Sequence, residues 1–148
     1  MNPPPPSAQV KAIDNETPPK QEPAIRVIAM PSDSNPGGSI FGGWLMSQMD
    51  LAGATVAVKR AKGPVVTIAV DGMVFHQPVM VGDEVSIYVD IKKVGNTSIT
   101  VNIEAWVGTR FRAMVALDAD YAMHKVTEGM FTYVAIDPKD RSRRQVPK

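Results

Sequence analysis

Between Phe41 and Gly63 the chain runs FGGWLMSQMDLAGATVAVKRAKG, apolar and free of proline, and it closes on Gly63-Pro64, a helix stop followed by a breaker. This spacing predicts one long helix early in the chain. At about 100° per residue, Gln48, Ala52, Thr55 and Lys59 fall on a single stripe, expected to face water. Asp50 lies roughly 200° from Gln48 and shares its face with Gly43, Met46, Ser47, Gly53, Ala54 and Ala57. A carboxylate among small and apolar neighbours must find donors or change its protonation, or else it destabilises the fold. Two readings follow for Asp50: a catalytic group, or a structural acid paired with a buried arginine or a backbone amide.

Past the helix the period changes from 3.6 to 2. VVTIAVDGMVF after Pro64 is rich in β-branched residues and ends at the breaker HQPVMVGDE. Val85, Ile87, Val89 and Ile91 alternate with Ser86, Tyr88 and Asp90. Ile99, Val101, Ile103 and Ala105 alternate with Ser98, Thr100, Asn102 and Glu104, and Gly95-Asn96 joins the two runs as a hairpin. MFTYVAID, 130–137, is the last strand; its upstream start is open, because 108–127 has no clean period. Ahead of the helix, Ala24–Met30 reads as a short strand and PSDSNPGGS, 31–39, as a loop. The connections after the helix are mostly too short for further helices, which predicts an α+β fold with a five- to six-stranded antiparallel sheet wrapped around one long central helix.

Residues 1–23 are proline-rich and polar, offer little apolar surface to bury, and are expected to be disordered. The domain is expected over 24–138, with 139–148 as a basic tail. A chain of 148 residues with 44% apolar content suits one core. The net charge of +1, with acids and bases interspersed, leaves no broad field for a nucleic acid or an anionic membrane. The absence of cysteine excludes disulfides, thiolate zinc cages and a cysteine nucleophile, and two separated histidines, His76 and His124, are not expected to form a metal site. No GxSxG occurs, since Ser39 is followed by Ile40-Phe41, which argues against a serine nucleophile elbow. With no secretory signal and no run long enough to span a bilayer, a soluble cytoplasmic protein is expected.

The order strand, long helix, run of strands, together with PSDSNPGGSIFGGWLMSQMDLAGA, VDGMVFHQPV, VGDEVSIYV, GNTSITVNIEAWV and FTYVAID, resembles the hotdog-fold acyl-CoA thioesterases of the YciA-like group. The resemblance spans about Ala24 to Pro138. It implies a hotdog fold and hydrolysis of acyl-CoA to a free fatty acid and CoA. Asp50 would then be the general base toward water, or a nucleophile forming a mixed anhydride. Asn35 matches the family's loop asparagine and would orient water or donate to the carbonyl oxygen; its local alternative is a turn cap. Gly42 and Gly43, in the first helical turn, present free N–H groups to a developing oxyanion, or simply permit close packing.

Phe41, Trp44, Met46 and Met49 are candidates for the acyl-chain wall, against a plain core role. Thr97 and Ser98 are candidates for the pyrophosphate or pantetheine arm of CoA, against hairpin chemistry alone. Lys139, Arg141, Arg143 and Arg144 are candidates for its phosphates, against a solvated tail. His76 and His124 are expected to be structural. No separate cofactor is expected, since CoA belongs to the substrate and product. The family also implies a homodimer in which Asn35 and Asp50 act from different chains, with a trimer of dimers beyond it. The competing functions are a non-catalytic acyl-CoA-binding hotdog protein and a hotdog enoyl-CoA hydratase or dehydratase, which calls for a histidine or a histidine-acid pair.

Overall fold

The computed structural model describes residues 17–108 and 122–148. Five strands, β1 (Ile25–Ile28), β2 (Val65–Phe75), β3 (Glu84–Val94), β4 (Ser98–Gly108) and β5 (Met123–Ala135), accompany one long helix, α1 (Gly42–Ala61). They form one sheet in the order β1-β3-β4-β5-β2, with every neighbouring pair antiparallel. Helix α1 lies across one face and touches β2, β3, β4 and β5. This is the α+β arrangement expected from the sequence pattern, and the hotdog fold that the resemblance implies.

The period-2 alternation positions the core. Ile99, Val101, Ile103, Ala105 and Val107 of β4 are fully buried, and Leu45, Met49, Ala52, Ala57 and Ala61 of α1 close over the sheet face with them. Each fully buried large apolar side chain contributes about 1.5–3 kcal/mol, so this layer fixes which side of α1 faces the sheet. Gly53 permits the close approach. A Cβ there would overlap the Tyr133 hydroxyl and lie 2.6 Å from Ile103 Cδ1.

Several expectations are corrected. Ala52 does not belong to a water-facing stripe; it is wholly buried, because its small side chain lets the helix sit low between Met49 and Gly53. The solvent side of α1 instead carries Ser47, Leu51, Thr55, Val58 and Lys59, so Asp50 sits on the half-buried flank between the two sides. β5 begins at Met123, upstream of Met130. Within the stretch that had no clean period, 109–121 lies outside the described residues, as do 1–16 of the segment expected to be disordered. Residues just after it are engaged: Gln21 Nε2 donates to Val89 O at 3.2 Å, and Ala24 N donates to Ile87 O at 2.8 Å.

The segment expected to be a solvated tail returns to the domain. Arg144 N donates to Ala135 O at 2.9 Å and Val146 N to Asn96 O at 2.7 Å, with Val146 in the core. Unpaired backbone groups at the end of β5 and at the β3–β4 turn are satisfied in this way. The sheet's two edges differ: β1 spans 4 residues, while β2 spans 11 and exposes Ile68 (51%), Val74 (59%) and Phe75 (45%). Among the described residues no helix is long and apolar enough to cross a membrane.

Candidate active site

Asp50 is held from the sheet. Thr67 Oγ1 donates to Asp50 Oδ1 at 2.7 Å, and the Tyr133 hydroxyl lies 3.0 Å from both Asp50 Oδ1 and the Asp50 carbonyl oxygen. Thr67 and Tyr133 are partners in the β2–β5 register, so two hydroxyls from adjacent strands converge on one carboxylate oxygen. The register slips immediately after this pair, between Thr67 and Ala69, a β-bulge that re-aims side chains on the bulged strand. Asp50 Oδ2 has no hydrogen-bond partner among the described residues. The arrangement is asymmetric: one oxygen is anchored and the other is left to act. Burial, followed by the nearby Asp50 charge, pushes the Tyr133 hydroxyl well above the usual tyrosine range. Tyr133 therefore stays protonated and serves as a donor.

A second set of groups gathers at the start of α1. Its N-cap, Phe41, supplies no side-chain cap, and no acid lies in the first turn, so the N–H groups of Gly42 and Gly43 keep their positive field uncompensated. Gly42 borders a cleft of about 360 Å³, lined also by Ile40, Leu45, Phe75, His76 and Val79, among others. Gly42 also packs under Phe75, whose ring carbon would lie 3.2 Å from a Cβ at that position. The packing role and the open amides thus coexist. His76, expected to be structural, is exposed on this cleft.

Asn35 sits in a small turned loop. Its N–H donates to Ser39 O at 2.7 Å, and Gly38, with φ of 98°, donates back to Asn35 O at 2.9 Å. The Asn35 side chain is exposed and its amide makes only a long 3.4 Å contact with Ser39 Oγ, so most of its donor capacity is unengaged among the described residues. Eight residues separate Gly42 from Asp50, which at 1.5 Å per residue is about 12 Å along the helix axis. Within one chain the amides and Asp50 are therefore too far apart to meet at one carbonyl, where contacts of about 3 Å are needed.

The expected wall residues divide. Met49 is fully buried in the core and Trp44 packs against it half-buried, so Met49 lines no open surface; Phe41 (42%) and Met46 (37%) remain exposed. Thr97 and Ser98 do lie beside the returning C-terminal segment, next to a groove of about 610 Å³. The cations on that groove are Arg60 and Lys148, rather than those expected. Arg144 is withdrawn from it: Nη2 donates to Ala61 O at 2.8 Å and Nε to Ile136 O at 3.4 Å. Arg141 and Arg143 are exposed, Arg143 opposite Ile136 in a β-bridge.

Sequence reasoning singled out Asp50 as a candidate and missed the two residues that hydrogen-bond it, Thr67 and Tyr133. A signal was present in hydroxyl side chains on otherwise apolar strands, Thr67 in VVTIAV and Tyr133 in FTYVAID. Their convergence depends on β2 pairing with β5, which no local pattern specifies.

Comparison with known proteins agrees with this architecture. Residues 37–110 match the Thioesterase superfamily. The chain is 49% identical over 125 residues to the acyl-CoA thioester hydrolase YciA of Salmonella typhimurium, covering 84% of this chain and 90% of that protein. It is 46% identical over 143 residues to an uncharacterized acyl-CoA thioester hydrolase of Zymomonas mobilis, covering 95% and 90%. Among solved structures it resembles a hexameric thioesterase from Yersinia pestis, with TM-score 0.79, 46% identity and coverage of 88% and 99%. It also resembles HI0827, a hexameric broad specificity acyl-coenzyme A thioesterase, with TM-score 0.78, 42% identity and coverage of 89% and 85%.

Proposed function

We propose, for a chain that belongs to the thioesterase superfamily, that it hydrolyses acyl-CoA to a free fatty acid and CoA, with Asp50 as general base. The observation that carries this reading is the asymmetric carboxylate: Oδ1 is tied to Thr67 and Tyr133 while Oδ2 has no partner among the described residues. Oδ2 takes a proton from water as the water oxygen bonds to the thioester carbon. The resulting oxyanion is stabilised by amide donors, then collapses, the C–S bond breaks, and the thiolate of CoA leaves and is protonated. The rival hydratase chemistry centres on a histidine, and neither His76 nor His124 hydrogen-bonds Asp50 among the described residues.

The spacing of about 12 Å along α1 between Asp50 and the Gly42 and Gly43 amides supports a site completed by a second copy. In this reading the partner subunit's Gly42, Gly43 and Asn35 polarise the carbonyl that Asp50 and its water attack. The long, apolar edge of β2, unpaired among the described residues, favours a homodimer, because such an edge is a template for pairing with another chain. Exposed Leu51 (57%), Val58 (41%) and Met46 on α1 offer further apolar surface for assembly, consistent with a trimer of dimers. Phe41 and Met46 line the acyl chain, and Thr97 and Ser98, with the Arg60 and Lys148 groove, face the anionic end of CoA.

The test is thiol release from acyl-CoAs ranging from acetyl to palmitoyl, with the wild-type chain and with Asp50→Asn. Turnover is expected in the former, and a loss of about 10²- to 10⁴-fold in the latter with fold and CoA binding retained. Unchanged turnover in Asp50→Asn removes the base from this reading. CoA binding without thiol release by the wild-type chain replaces the enzyme with a binding protein.

A further inference from the structure

We infer that Tyr133 is a positioning residue for the reaction, holding Asp50 in a single rotamer through its own backbone; this rests on the reading of Asp50 as the base. The Tyr133 oxygen is 3.0 Å from Asp50 Oδ1 and 3.0 Å from Asp50 O, so its one proton is shared between a side chain and the carbonyl of the same residue. A donor that bridges these two acceptors fixes both torsions of the aspartate. Thr67 lacks this property, since it reaches Oδ1 alone.

The scaffold around the hydroxyl is built to hold it still. Tyr133 is fully buried, with Ile99 opposite it on β4 and Thr67 opposite it on β2. Gly53, one turn beyond Asp50, is the only residue type the space permits, because any Cβ would overlap the Tyr133 hydroxyl and press on Ile103 Cδ1. The helix is thus lowered onto the ring at the one turn where the carboxylate projects. Burial and the Asp50 charge keep the phenol protonated, so the donor does not titrate away. Hydrogen bonds to a charged acceptor are the stronger kind, and a base held in one geometry avoids reorganisation when water is attacked.

The experiment compares Tyr133→Phe with wild type in the acyl-CoA thiol-release assay, recording kcat and KM separately. Tyr133→Phe keeps the ring and removes only the donor. kcat is expected to fall by about 10- to 100-fold with KM little changed. Tyr88→Phe, at a buried tyrosine of β3 that makes no hydrogen bond to Asp50 among the described residues, is expected to keep wild-type kcat. A fluorotyrosine series at position 133 keeps the ring and the hydroxyl and alters only the donor strength; a graded change in kcat with KM little changed is expected, and a flat series overturns the role if Tyr133→Phe fails to fold. Wild-type kcat in folded Tyr133→Phe, beside an inactive Asp50→Asn, overturns the role of Tyr133 alone. An active Asp50→Asn overturns the underlying reading instead.

Discussion

The two ends of α1 are finished in opposite ways. At its start, Phe41 gives no side-chain cap, no acid enters the first turn, and Gly42 and Gly43 are exposed. At its end every device for closing a helix is present. Lys62 turns left-handed with φ of 55° and returns its N–H to Val58 O; Gly63 N reaches the same carbonyl at 3.3 Å; and the Arg144 guanidinium covers Ala61 O at 2.8 Å. Lys59 and Arg60 add positive charge where the helix dipole is negative. The fold concentrates its closing contacts at one end of the helix and leaves the backbone amides of the other end without a side-chain cap.

Gly43→Asp is the variant expected to break this contrast most. The site has room, since the nearest atom to an added Cβ is Phe41 Cδ2 at 3.6 Å. An acid there compensates the dipole and is expected to stabilise the helix by about 0.3–1 kcal/mol. The same charge repels an oxyanion, so kcat/KM for acyl-CoA is expected to fall by about 10²-fold. Opposite signs in thermal unfolding and in turnover are the result to look for; equal turnover would reduce the amide end to packing. Arg144→Ala comes next and acts on the other end. It uncovers Ala61 O and opens space at Gly63, where a Cβ would lie 2.7 Å from Arg144 Nη2. A loss of about 1–2 kcal/mol is expected, read as a drop in Tm of roughly 3–8 °C, with kcat retained. A raised KM at unchanged Tm would return Arg144 to the phosphate-binding role expected from sequence. The smallest effect is a gain: Lys62→Gly relieves a left-handed residue and is expected to stabilise by about 0.5–1 kcal/mol in a denaturant titration.

The contrast also separates what was readable in the chain from what was not. The helix, the hairpin at Gly95-Asn96 and the alternating strands were legible, because periodicity and turn chemistry act over a few residues. Gly63 was read as the helix stop, yet the left-handed residue is Lys62, and Gly63 is small because an arginine 81 positions later needs its space. The Arg144 role was likewise out of reach, since its partner Ala61 lies 83 residues away. The facing of α1 was half legible: Thr55 and Lys59 marked its polar side, but Gln48 is half-buried and an alanine such as Ala52 carries no label for either environment.

By itself the sequence determined one long helix, a run of strands able to cover it, and a carboxylate, Asp50, placed where a helix of this kind seldom carries one. Only the tertiary structure decided that β2 lies beside β5, so that Thr67 and Tyr133 meet across a strand pair and close on the same oxygen of Asp50. The reason is physical. Alternation reveals which face a residue occupies, but strand order is set by the closure of the whole core, through contacts that no local pattern encodes.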